Sequence, residues 1–306
     1  MTTFAELGLS PKILKALEKT TVAKPTPIQL QVIPHIMEGR DLMGLAQTGT
    51  GKTAAFGLPL LHRLLDIHHP PGARHVRALI LAPTRELVGQ IHDNFMVFTK
   101  GTPTKLTMVV GGASINKQAE RLARGTDVLI ATPGRLIDLL DRGDVSLEKC
   151  GYLVLDEADH MLDMGFIHAL RKIAKHIPLK RQTLLFSATM PKDIEEIAEA
   201  YLRHPVKVQV APPGKPAEKI VQGVHFTPQG DKAKLLEEYL KKHPGEQALV
   251  FGRQQGQADG FLRWAGQQHG IKARLLQLRG NGWIGAAQQP LPALGAQLLN
   301  AVGRMH

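Results

Sequence analysis

Residues 46–53 read AQTGTGKT, two glycines followed directly by lysine and threonine. This spacing suits a loop that cradles phosphate. Gly49 and Gly51 let the backbone curl so that the N–H groups of Gln47, Thr48, Gly49, Thr50 and Gly51 can converge on phosphate oxygens. Lys52 then reaches the outer phosphates, and the Thr53 hydroxyl can hold Mg2+. The strict pattern has glycine where this chain has Ala46.

A second group of chemically active residues lies in LVLDEADHML, residues 153–162, where an apolar run ends in three acids within four positions. By itself, such a cluster is an ordinary solvated turn after a strand. Paired with a phosphate loop, it has a role: Asp156 can hold Mg2+ through water, and Glu157 can orient and deprotonate an attacking water. His68 and His69 have no companion acid or cysteine, and no metal site is read there.

Both groups must sit at the ends of regular elements. Between about residues 40 and 210, apolar runs rich in Val, Ile and Leu alternate with amphipathic stretches: DLMGLA, VRALILAP, KLTMVVGG, DVLIATP, YLVLDEAD, QTLLFSAT and VKVQV. Such runs predict strands of a parallel sheet buried on both faces. Helices are predicted over TAAFGLPLLHRLL, over SINKQAERLA after Ser114 and over MPKDIEEIAEAYL with Pro191 near its first turn. The alternation implies a doubly wound α/β domain over residues 1–210, with its sites at the carboxyl ends of the strands.

The segment APPGKPAEK, residues 211–219, reads as a linker. A second domain is expected over 220–306, with strands at IVQGVHF and QALVFGR and a helix at KAKLLEEYLKK between them. The last 47 residues, after Asp259, contain no Asp or Glu, and from Gly280 onward no strand and helix alternation is evident.

The net charge of +11 and pI near 9.8 favour an anionic partner, although a basic protein without one has the same composition. The only cysteine, Cys150, excludes an internal disulfide and reads as a small core residue of a protein in a reducing compartment. The start MTTFAELGLS is unlike a secretory leader, and no run of apolar residues is long enough to span a bilayer. The expected location is cytoplasmic, with no membrane contact.

Taken with their order, these motifs resemble one family closely: the DEAD-box RNA helicases, in particular the bacterial RhlE-like group, whose tetrad stands at 156–159. The resemblance covers almost all of residues 1–253. It implies a RecA-like ATP-binding domain followed by an incomplete second RecA-like domain, with ATP and Mg2+ as ligands and single-stranded RNA, held mainly by its sugar-phosphate backbone, as partner. Phe4 and KPTPIQ resemble the adenine-reading Q motif, in which Phe4 stacks on the base and Gln29 bonds its edge. PTREL at 83–87, Gly111 with Gly112, and TPGR at 132–135 resemble RNA-contacting motifs and point to Thr84, Arg85, Gly111, Gly112, Thr132 and Arg135. A helix cap is the alternative for TPGR. With 5% aromatic residues, base stacking is not expected to dominate binding. SAT at 187–189 resembles the coupling motif, its Ser187 and Thr189 hydroxyls expected on Asp159. Family members often work in ribosome assembly or RNA decay.

The resemblance weakens after VFGR at 250–253 and an echo of the next strand in GIKARLLQLRGN. Nothing resembles the family's ATDVAARGID or HRIGRTGR segments, which supply an arginine finger and half of the RNA clamp. A truncated or frameshifted C-terminal part is expected, to be checked in the other reading frames of the coding nucleic acid. The leading functional expectation is an ATP-dependent RNA helicase that couples hydrolysis to local duplex unwinding. The alternatives are an ATP-responsive RNA-binding half without unwinding, and a DNA helicase or other phosphate-loop NTPase.

Overall fold

The computed structural model describes residues 3–18, 24–47, 49–67, 69–210, 223, 225–243, 249–252, 274–279 and 282–284. Its contacts group into two compact units, Met1–Gly214 and Lys215–His306.

The first unit follows the predicted alternation. Its elements are α1 (Pro11–Leu17), α2 (Pro27–Met37), β1 (Leu42–Leu45), α3 (Lys52–Leu65), β2 (Val76–Leu81), α4 (Arg85–Phe98), β3 (Leu106–Val109), α5 (Ile115–Leu122), β4 (Thr126–Ala131), α6 (Pro133–Asp141), β5 (Tyr152–Leu155), α7 (Ala158–Asp163), α8 (Ile167–Ala174), β6 (Gln182–Ser187), α9 (Lys192–Tyr201) and β7 (Val206–Gln209). All seven expected strands form one sheet in the order β3-β4-β2-β5-β6-β1-β7, and every pairing is parallel.

Parallel sheets with both faces covered need strands that are apolar on both sides. Here Ala78 and Ile80 of β2 join one core, with α1 to α4, while Leu79 and Leu81 join the other, with α5 to α9. Cys150 lies fully buried in the second core, as expected of a small core residue, and burial pushes its thiol up to about 12.

Two features fix β1, the strand that feeds the phosphate loop. At its foot, the Asp41 carboxylate accepts the Thr183 N–H and the Arg203 N–H, each at 2.7 Å, and the Gln182 amide donates to the carbonyls of Ile36 and Arg40 at 3.0 and 2.8 Å. Along its length, Gly44 pairs in register with Phe186, and a Cβ on Gly44 would meet that ring at 2.7 Å. The Phe186 ring lies 5.5 Å from that of Phe56 of α3, tilted by 44°, so the space left by the glycine lets an aromatic bridge run from the sheet to the helix after the loop.

In the second unit α10 (Lys232–Lys242), β8 (Leu249–Gly252), β9 (Arg274–Arg279) and β10 (Gly282–Ile284) are described. The helix expected over 232–242 and a strand within 247–253 are present; β8 and β9 pair in parallel, and β10 returns antiparallel to β9. The strand expected over 220–226 is corrected in part: Gly223, His225 and Phe226 lie in no strand, and glycine weakens a strand interior. Residues 220–222 and 224, the linker 211–219, His68, Gln247, Ala248, Arg253 and the tail from 285 lie outside the described residues. Among the described residues no helix is long and apolar enough to cross a membrane.

Replacing Gly44 with alanine forces a methyl into the Phe186 ring. Gly44→Ala is expected to destabilise the first unit by about 1–3 kcal/mol, read as a lower midpoint in urea unfolding.

Candidate functional site

The strand order sorts the candidate residues along the carboxyl edge of the sheet. The phosphate loop follows β1, the acids follow β5 and SAT ends β6, and these three strands are neighbours. PTREL follows β2, Gly111 and Gly112 follow β3 and TPGR follows β4, and these form the other adjacent trio.

In the loop, Gly49 and Gly51 adopt φ of 78° and 91°, a region that side chains disfavour. Gly51 is the N-cap of α3, and a Cβ there would lie 2.6 Å from Gln29 Nε2, so space as well as dihedral requires glycine. Gln29 is buried rather than on the helix surface. Its Nε2 donates to the Gly51 carbonyl at 2.9 Å and its Oε1 accepts the Thr26 N–H at 2.9 Å, tying the start of α2 to the loop. The Thr50 hydroxyl donates to the Gln47 carbonyl at 2.9 Å. Ala46 continues the ladder through its N–H to the Ser187 carbonyl at 3.0 Å and packs its methyl in the core, which accounts for a residue other than glycine there. Thr53 stands in the first turn of α3, and Thr48 lies outside the described residues. Phe4 is buried, its ring part of the first core.

Lys52 is 7% exposed, and among the described residues its ammonium has no hydrogen-bond partner; Asp156 Oδ1 is 3.9 Å away. A buried ammonium without hydrogen bonds is costly, and an anionic oxygen entering the glycine turn would relieve it. The residues present therefore fit a phosphate group.

Asp156 stands at the end of β5, where its N–H donates to the Leu81 carbonyl at 2.9 Å. Burial pushes its carboxyl up to about 6, against the opposing pull of Lys52. Glu157 adopts left-handed backbone, φ 52° and ψ 53°, as the N-cap of α7. Such a conformation costs a non-glycine residue about 1–2 kcal/mol. The Glu157 carboxylate is 3.4 Å from His160 Nδ1.

Asp159 faces SAT. Its Oδ2 accepts the Ala188 N–H at 3.1 Å, the Thr189 N–H at 2.9 Å and the Thr189 hydroxyl at 2.9 Å. Ser187 turns elsewhere, its hydroxyl donating to the Thr189 carbonyl at 2.7 Å. The two backbone donors could not be foreseen from hydroxyl chemistry.

On the other half of the edge, Thr84 caps α4 by accepting the Leu87 N–H at 3.2 Å, leaving Arg85 exposed. The Arg85 guanidinium lies over Gly112, whose φ is 75° and where any Cβ would overlap it. Arg135 donates to the Ala113 carbonyl at 2.8 Å, so both arginines converge on the loop after β3. Thr132 occupies the N-cap of α6 without a side-chain cap bond; its N–H donates to the Val109 carbonyl at 3.2 Å. One residue beside this loop escaped sequence reasoning. Gln118 of α5 is buried, and its amide both accepts the Val110 N–H and donates to the Val110 carbonyl, each at 3.1 Å. The available signal was a glutamine four residues before the apolar Leu122, on the inner side of an amphipathic helix.

The raised Asp156 pKa has a testable sign. Between about pH 4, the ordinary carboxylate value, and about pH 6 the folded chain binds the proton that the unfolded chain has lost, so this group lowers stability as pH rises through that window. In nucleotide-free protein, thermal midpoints measured from pH 4 to 7 are expected to show this decline in the wild type and a shallower one in Asp156→Asn.

Comparison with known proteins accords with this geometry. The DEAD/DEAH box helicase model matches residues 26–197, from the start of α2 into α9. The chain is 45% identical over 252 residues to the ATP-dependent rRNA helicase RRP3 of Meyerozyma guilliermondii, covering 82% of this chain and 52% of that protein. It is 40% identical over 263 residues to the ATP-dependent RNA helicase CshA of Listeria monocytogenes, covering 86% and 50%. It is 42% identical over 252 residues to the RNA helicase CrhR of Synechocystis, covering 82% and 50%. The chain thus spans about half the length of these relatives. With the phosphate loop, the acids and SAT brought to adjacent strand ends within the matched residues, the chain belongs to the DEAD/DEAH box helicase family.

Proposed function

We propose that this chain is an ATP-dependent RNA helicase that binds ATP and single-stranded RNA backbone and couples ATP hydrolysis to local duplex unwinding. The observation that carries this reading is the buried, unbonded Lys52 ammonium facing Asp156 across the glycine turn. Residues 1–210 would form the ATP-binding domain, 211–219 the linker and 220–306 part of a second RecA-like domain.

The backbone of residues 47–51 and Lys52 would hold the phosphates of ATP. Thr53 and Asp156 would hold Mg2+, which when bound neutralises charge on the transferring phosphoryl group. Glu157 would orient a water and accept its proton as the oxygen attacks phosphorus and ADP leaves. Its strained backbone supports such a role, because strain of this kind gathers at functional sites. Gln29 already touches the loop, so adenine recognition by its amide would be read directly at the phosphates. Phe4, 5% exposed, would offer a base little of its ring without a local opening.

Thr84, Arg85, Gly111, Gly112, Thr132 and Arg135 would contact RNA phosphates and sugars, an arrangement with little sequence preference. The net charge of +11 supports this partner, and the three bonds from Asp159 to residues 188 and 189 would report the nucleotide state to the rest of the helicase. By analogy with relatives such as the rRNA helicase, a ribosomal or RNA-decay assembly in the cytoplasm is the proposed setting.

A second reading, an ATP-responsive RNA-binding half without autonomous unwinding, is favoured by one observation. Every candidate residue lies in the first unit, and no segment resembles the arginine motifs. An arginine finger is worth about a thousandfold or more in turnover.

Phosphate release with and without single-stranded RNA, compared with Lys52→Ala, tests both. RNA-stimulated release that falls about a hundredfold in the variant is expected for the helicase. ATP binding with no RNA-stimulated release would select the second reading. Single-stranded DNA competing as well as RNA would count against both.

A further inference from the structure

We propose that Gln118 is a positioning residue for the RNA-contacting loop, setting the shape of Gly111–Gly112 without itself touching RNA. This inference rests on the RNA-binding reading of that loop.

β3 is the edge strand of the sheet, so among the described residues its outward backbone groups have no strand to pair with. The Val109 carbonyl accepts from Thr132, on the β4 side. The next residue, Val110, must therefore turn its N–H and carbonyl the other way, toward the open edge. Both groups are taken by one side chain. The Gln118 amide reproduces a strand partner, accepting at 3.1 Å and donating at 3.1 Å, at the last residue before the glycine pair.

Only a primary amide of this length serves both groups. A glutamate could accept but not donate, and would set a carboxylate against the Val110 carbonyl; leucine could do neither. Gln118 is 4% exposed, so groups released there are not simply rehydrated.

The clamp has a mechanical consequence at the loop it holds. Gly112 needs its left-handed φ and the absence of a Cβ to lie under the Arg85 guanidinium, and Ala113 offers its carbonyl to Arg135 at 2.8 Å. Two arginines proposed to meet RNA phosphates are thus indexed on a three-residue turn whose entry is fixed by Gln118. Without the clamp, the entry to the turn is held through the Thr132 N–H on the Val109 carbonyl, and the turn loses one defined arrangement of donors. The phosphate loop lies after β1, on the other side of β5 and β6 from this clamp.

The experiment measures binding by the full chain of a labelled oligouridine single strand, with a non-hydrolysable ATP analogue, for wild type, Gln118→Glu and Gln118→Leu. Affinity for the analogue itself is measured in parallel. The expected result is RNA binding about tenfold weaker in both variants, with analogue affinity changed less than about twofold. Folded variants that bind RNA as the wild type does would overturn the inference, as would equal weakening of RNA and analogue, which marks general destabilisation. Wild-type protein that binds no RNA would instead remove the functional reading on which the inference stands. Should neither variant fold, hydrogen exchange decides on the wild type: saturating oligouridine should slow exchange of the amides at 110–113, and unchanged exchange there would overturn it.

Discussion

Lys52 and Asp156 face each other at 3.9 Å, both almost sealed from water, with the ammonium lacking a hydrogen bond among the described residues and burial pushing the carboxyl up to about 6. Left alone, this arrangement is unfavourable, because burial penalises charge on Asp156 and the separation from Lys52 is too long for a direct bond. Both side chains are placed by backbone that is itself held. Lys52 begins a helix whose N-cap glycine is wedged against Gln29 and Thr26, and Asp156 ends a strand bonded to Leu81. Binding an anion would release what folding stores there.

That storage requires a rigid frame, which the parallel sheet supplies. β6 lies between β1 and β5, so the two charged residues come from strands that never pair with each other. Their separation therefore depends on the packing of β6, on the Phe186 ring over Gly44 and on the Asp41 carboxylate that ties the strand feet. The same strand carries Ser187 at its end, and Asp159 binds the two residues that follow. A displacement of the acids would thus be felt along β6. The strained Glu157 sits between Asp156 and Asp159 in the chain, its N–H bonded to the Asp156 carboxylate at 3.1 Å.

Much of the first unit was legible in the sequence. The seven strands were visible because residues buried on both faces of a sheet form short unbroken apolar runs, and α3, α5 and α9 because amphipathic stretches with recognisable starts stand between those runs. The phosphate loop was legible because glycine spacing encodes backbone dihedrals directly. Less could be read in side-chain partners. Gln29 read as a base-reading residue and also bonds Thr26 and Gly51; Ser187 read as a partner of Asp159 and bonds Thr189; Gln118 carried no motif. The Gln29 bond to Thr26 follows the local T-x-x-Q capping pattern, but its bond to Gly51 and the Gln118 bonds to Val110 join segments whose proximity no local pattern announces, and Ser187 has an equally good acceptor nearby.

The sequence by itself determined the element types, the family and the residue kinds at each strand end, since these depend on short-range stereochemistry and on periodic burial. Tertiary structure alone decided the strand order, and with it the division of the carboxyl edge into a β1, β6, β5 half and a β2, β4, β3 half. It also decided that Lys52 meets Asp156 across 104 positions of chain, and that one glutamine completes the open edge of β3. Strand order follows from how seven apolar strands and nine helices pack at once, and hydrogen-bond choice follows from which donors and acceptors that packing leaves unpaired among the described residues.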